Sequence, residues 1–162
     1  MGKSGIGLEQ LKKEYEKLQR KYNLPSFKEM NEDFHIEKIA ENDTELLPVE
    51  IRRWMWEKFS NYMRLLEGIL NPVNVPMFIF SIIKTLNPEE KKNISEVYKK
   101  LMKEEIKIIR LDLDFNESKE AEFIKESYKI WQEIKKELSQ IFSEVEKRGG
   151  TKTEENSRGY FG

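Results

Sequence analysis

The chain has 162 residues, enough for one ordinary domain with a real core and too few for two. Hydrophobic residues make up 38% and charged residues 36%, with a formal charge of −1; that balance supports folding and argues against the dense cationic face of a nucleic-acid binder. The absence of cysteine excludes disulfides and thiolate metal sites.

Charge is unevenly spread. Residues 23–50 hold two lysines against eight acids, a stretch that suits a basic protein partner better than a phosphate backbone. Glycine and proline cluster between periodic segments, which favours an all-α fold.

Residues 1–7, MGKSGIG, read as a flexible start without the hydrophobic core of a signal peptide. Leu8, Leu11, Tyr15, Leu18 and Tyr22 then alternate steps of four and three, a narrow helical seam that leans on another helix. Asn23-Leu24-Pro25 ends it, because the residue before proline is pushed out of helical geometry. Ser26 and Glu29 form a capping box for a short helix to about Phe34. From Phe34 to Leu46 the chain is acidic and loosely periodic: Phe34, Ile36 and Ile39 act as anchors, while Glu37, Glu41, Asp43 and Glu45 face water.

The stretch 47–70 is the central helix. Ile51, Trp54, Met55, Phe59, Tyr62, Met63, Leu66, Ile69 and Leu70 recur at helical spacing, and Val49, Trp56 and Leu65 widen the stripe until neighbours must cover it from more than one side. A turn dense in proline and asparagine leads to a short helix over 77–86 that is apolar all round. Such a helix is either fully buried in its own core or partly covered by another molecule. Asn87-Pro88-Glu89-Glu90 opens the next helix. Near its end Ile109, Leu111, Leu113 and Phe115 alternate with charged residues as a strand does, but a lone strand has nothing to pair with, so 106–115 is read as helix. The last helix is expected over 117–148. Its residues Ile124, Tyr128, Trp131, Ile134, Leu138, Ile141 and Val145 form a seam for antiparallel pairing with 8–22 or for self-association through 124–145. Gly149-Gly150 stops it, leaving 149–162 as a disordered tail.

The chemistry-bearing residues give no catalytic, cofactor or metal site. His35 is the single histidine, without a nucleophile or orienting partner in view. Asp112, Asp114 and Asn116 match the start of a calcium loop, but Glu117 stands where glycine is needed and Phe123 where a bidentate Glu is needed; Asp114 as a helix cap with Glu117 explains them. Glu105 with Asp112, and Glu117 with Glu120, have the spacing of magnesium-holding carboxylates in helical nucleotide hydrolases. Lys91, Lys92, Lys99, Lys100 and Lys103 line one stretch, interleaved with acids that blunt attraction to phosphate.

Leu24-Pro25-Ser26-Phe27 with Glu29 and Asn31, Arg52-Arg53, Leu70-Asn71-Pro72, Glu89 to Lys92, Tyr98 to Met102, and Glu120 to Lys125 with Trp131 together resemble a family of small, helix-rich archaeal proteins of unassigned function. The likeness spans about residues 24–142 and rests on caps, turns and anchors. It implies an archaeal cytoplasmic setting and a single helical domain, and carries over no site residue.

The reading that follows is a single-domain helical bundle (residues 8–148) of about five to six helices, serving as a non-enzymatic interaction module, a small subunit or adaptor of an intracellular assembly. Its expected contact surface joins Met77, Phe78 and Phe80 with Glu37, Glu41, Asp43 and Glu45, for a protein partner whose basic groups would suit the acidic side chains, with no cofactor. No span is apolar and long enough for a bilayer, so no membrane partner is expected. The alternatives are a metal-dependent all-α nucleotide hydrolase and an accessory factor on RNA or a ribonucleoprotein.

Overall fold

A computed structural model describes the backbone of residues 5–161 and the side chains of residues 5–149. Six α-helices and one 3-10 helix form an all-α bundle with no strand among the described residues: α1 (Leu8–Tyr22), α2 (Phe27–Phe34), the 3-10 helix Ile36–Glu41, α3 (Leu47–Leu70), α4 (Met77–Thr85), α5 (Pro88–Leu113) and α6 (Glu117–Phe161). Helix α6 continues through Gly149-Gly150 to Phe161, so the stop expected at those glycines, with a tail beyond it, is corrected: the backbone of residues 150–161 is helical, and only their side chains and residue 162 lie outside the described residues. Two compact units divide the fold, one of Met1–Asn61 with Lys103–Trp131 and one of Tyr62–Met102 with Gln132–Gly162. Helices α3, α5 and α6 each contribute residues to both.

In the first unit α1 buries one edge, Leu11, Tyr15 and Leu18. It ends at Asn23, whose left-handed backbone (φ 54°) turns its N–H onto the Gln19 carbonyl. The capping box of α2 is formed: the Glu29 N–H donates to Ser26 Oγ at 3.1 Å and the Ser26 N–H to Glu29 Oε2 at 2.8 Å. His35 closes α2, also at φ 54°, with its N–H on the Asn31 carbonyl at 2.9 Å. The acidic connector folds into the 3-10 helix, held by buried Ile36 and Ile39. Gly5 approaches it so closely that an added Cβ would lie 2.1 Å from the Ala40 carbonyl oxygen, and the Gly7 N–H donates to the same oxygen at 3.3 Å. Residues 1–4 of the expected flexible start lie outside the described residues.

An aromatic cluster centres this unit. Phe34 and Phe59 meet edge to face at 5.9 Å, and Trp131 lies 5.7 Å from Phe59 and 6.2 Å from Phe34. Helix α1 runs antiparallel to the start of α6: Lys21 Nζ and Tyr22 Oη both donate to Glu117 Oε2, at 2.8 and 2.7 Å, while Tyr15, a turn and more earlier, feels the charge of Tyr128. Burial, ahead of its acidic neighbours, pushes the Tyr15 phenol well above its ordinary range, and its hydroxyl donates to the Pro25 carbonyl at 2.6 Å.

In the second unit α3 and α4 pack closely at Gly68, where an added Cβ would sit 3.4 Å from Val75 Cγ1 and 4.0 Å from Ile79 Cγ2. Asn87 caps α5 as expected, its Oδ1 accepting the Glu90 N–H at 2.8 Å while Glu90 Oε1 accepts the Asn87 N–H at 3.0 Å. Arg148 then holds Glu90 with two bonds of 2.6 and 2.8 Å and donates to the Thr85 carbonyl at 2.9 Å, tying together the end of α4, the start of α5 and α6.

Three further sequence expectations need correction. The cap of α6 is Asn116, whose Oδ1 accepts the Lys119 N–H at 3.0 Å, and not Asp114; Asn116 stands directly before the first helical residue, where the short amide reaches the orphan N–H groups. The 124–145 seam is no free surface for self-association: Ile124, Trp131, Ile134, Leu138 and Ile141 are all buried within the chain. The wide stripe of α3 is not covered throughout, because Trp56 remains exposed. Of residues 106–115, read as helix, 106–113 are helical and the alternation there belongs to the end of α5, while Asp114 and Phe115 lie beyond it in the turn to α6.

Candidate functional site

The carboxylates considered for metal binding are held apart by separate partners, all in the first unit. Glu120, fully buried on α6, accepts from Arg52 Nε on α3 at 2.7 Å, and the same guanidinium lies 3.6 Å from Asp112 on α5. Glu105 Oε1 accepts from Trp56 Nε1 at 2.8 Å. Glu117 is taken by Lys21 and Tyr22, and these hydrogen bonds, Lys21 first, hold its carboxyl below the usual range. Glu104, buried on α5, receives Ser127 Oγ and Lys107 Nζ. No group of three potential metal ligands gathers among the described residues.

This buried polar layer was not legible in the sequence. Arg52 lies between Ile51 and Arg53, Ser127 reads as an ordinary surface position, and Glu120 stood out only as a possible metal carboxylate beside Glu117 in a chain with 30 acids. The seven-residue step from Glu120 to Ser127, which puts both on one helix face, was the available signal.

Two grooves border the layer, both lined entirely from the first unit. One, about 410 Å³, lies where the end of α5 meets the start of α6, with Lys107, Arg110 and Lys119 facing Asp114, Glu122 and Glu126 over Leu111 and Phe123. The other, about 320 Å³, is lined by Leu18, Leu46, Pro48 and Phe115 with charged residues around them. Cations and acids are mixed in both, so neither presents the one-signed field that concentrates a charged substrate.

Two of the α5 lysines singled out in the sequence are drawn into ion pairs: Lys100 Nζ lies 2.9 Å from Glu137 and 3.8 Å from Glu133, and Lys99 Nζ 3.7 Å from Glu96. No family model, no curated protein and no solved structure matches the chain.

Exposed apolar surface is what sets this molecule apart. In the second unit Met77 is 82% exposed, Phe78 59% and Phe80 39%, with Leu70 and Val73 beside them in sequence and also exposed. Only Ile79 and Thr85 of α4 are buried. The helix is thus not fully buried in the chain's own core, which was the first of the two outcomes its composition allows. No charged side chain occurs between Glu67 and Lys84, in a chain where more than one residue in three is charged. Glu37, Glu41, Asp43 and Glu45 are exposed too, but they belong to the first unit. Glu37 is engaged locally, its N–H donating to Asn31 Oδ1 at 2.9 Å and its carboxylate accepting from Asn31 Nδ2 at 3.2 Å. No helix among the described residues is long and apolar enough to cross a membrane.

Proposed function

We propose that the protein is a non-enzymatic interaction module, a small subunit or adaptor that docks a protein partner on the apolar surface of Met77, Phe78 and Phe80. The observation that carries this reading is the exposure of these three side chains inside a charge-free stretch. Large apolar side chains left in water on an otherwise charged surface mark contact sites, and Phe and Met are enriched at the centres of such contacts. The acidic connector Glu37, Glu41, Asp43 and Glu45 adds a second contact suited to a basic segment of the partner. An archaeal cytoplasmic setting stays part of the proposal, on the resemblance alone.

The test is a tagged purification of wild type and Phe78→Asp from the native host, with and without nuclease, read by mass spectrometry. A stoichiometric protein partner that survives nuclease and is lost from a folded Phe78→Asp protein supports the reading. Partners lost on nuclease treatment favour an RNA-associated role instead, and a protein recovered alone counts against both.

A further inference from the structure

The last two turns of α5 carry a second apolar stripe, independent of the α4 surface. Ile106 is 55% exposed, Ile109 59% and Leu113 83%, and their steps of three and four place them along one line of the helix. That is the spacing of a coiled-coil seam, with Ile106 and Leu113 at a positions and Ile109 at d.

The two edges of this stripe carry opposite charge. Lys103 and Arg110 take the e positions along one side, Glu105 and Asp112 the g positions along the other. Both acids are fixed before any partner arrives, Glu105 by Trp56 and Asp112 by the Arg52 guanidinium. Glu105 Oε2 is itself buried, so the acid acts on a neighbouring helix through its charge rather than through a free oxygen.

We infer that this stripe docks a second copy of the same chain, α5 against α5 in parallel. In a parallel pair each g residue faces the e residue five positions on in the other helix, which sets Glu105 opposite Arg110 of the second copy, twice by symmetry. An antiparallel pair opposes g to g and e to e, acid to acid and cation to cation. Charge complementarity therefore selects both the occupant and its direction. With barely two heptads the dimer is weak.

The absence of native cysteine makes the register directly readable. In sedimentation of the full chain across concentration, the mass should rise toward a dimer, and Ile109→Glu should abolish the rise without changing the far-ultraviolet circular dichroism. Arg110→Glu should weaken the dimer about tenfold by setting acid against acid. Ile106→Cys and Leu113→Cys should each form disulfide dimers with themselves under mild oxidant, while Lys129→Cys, exposed elsewhere on α6, should not. A protein that stays monomeric and uncrosslinked at several hundred micromolar overturns the inference. So does a mixture in which Ile106→Cys links to Leu113→Cys but neither links to itself, which is the antiparallel signature. A dimer lost in Phe78→Asp and kept in Ile109→Glu overturns it as well, while leaving the α4 docking surface standing.

Discussion

Arg52 Nε donates to Glu120 Oε2 at 2.7 Å, with both side chains almost wholly out of solvent. The pair joins α3 to α6 in the first unit, and its energetics are asymmetric. Two charges were taken out of water to make it, so its net contribution is small, whereas removal of one partner leaves a bare buried charge. Arg52→Met should destabilise the protein by about 3–5 kcal/mol, and the double change Arg52→Met with Glu120→Leu should recover most of that loss. Chemical denaturation of the three proteins measures it.

The Glu90–Arg148 pair gives a dependence on acid. The Arg148 hydrogen bonds, opposed by desolvation and aided by the Asn87 N–H, hold the Glu90 carboxyl below its ordinary range. A carboxylate whose folded value is lowered contributes stability that is present above its unfolded value and is lost as pH falls through the folded one. Wild type should therefore exceed Glu90→Gln in denaturation midpoint at pH 6, and the difference should shrink toward zero by about pH 3.

The corrected cap of α6 is testable by contrast. Asn116→Ala should cost about 1 kcal/mol, because it strands the Lys119 N–H. Asp114→Ala should stay within about 0.5 kcal/mol of wild type. Equal losses from the two changes would contradict the assignment.

Exposure separates two phenylalanines. Phe59→Ala should destabilise the protein by about 3–5 kcal/mol, since Phe59 is fully buried and touches both Phe34 and Trp131. Phe78→Asp should alter thermal stability by no more than about 0.5 kcal/mol, so any loss of a partner in that variant reads the surface rather than the fold.

Helix positions were legible because caps and breakers here are local. Ser26 with Glu29, Asn87 with Glu90, and the proline-rich turn before Met77 act over a few residues, and periodicity supplied the buried edges of α1 and α3. The seam of α6 was legible as a seam, but whether its neighbour is the same chain or another is a long-range fact that spacing does not encode. The end of α5 shows the opposite failure. Ile109, Leu111, Leu113 and Phe115 follow one another two apart, and that alternation hid the three-four pattern of Ile106, Ile109 and Leu113. For the candidate surface, composition narrowed Met77–Phe80 to core or interface, and only the packing of Ile79 inward with Phe78 outward decided how much of the helix is covered. Arg148 gave no signal at all, because its partners Glu90 and Thr85 lie some sixty residues earlier.

Two of the protein's three tryptophans, Trp56 and Trp131, are built-in optical reporters of different regions, while Trp54 lies under Lys38 of the 3-10 helix and emits in every variant alike. Trp131 is enclosed by Phe34 and Phe59, so its emission follows the integrity of the core. Trp56 stands 41% exposed on α3, bonded to the acidic edge of the α5 stripe through Glu105, so a molecule settling there changes the polarity around its indole while Trp131 stays as it was. A Trp56→Phe variant subtracts that second signal, and fluorescence alone then distinguishes occupation of the α5 face from any loosening of the interior, with no label attached.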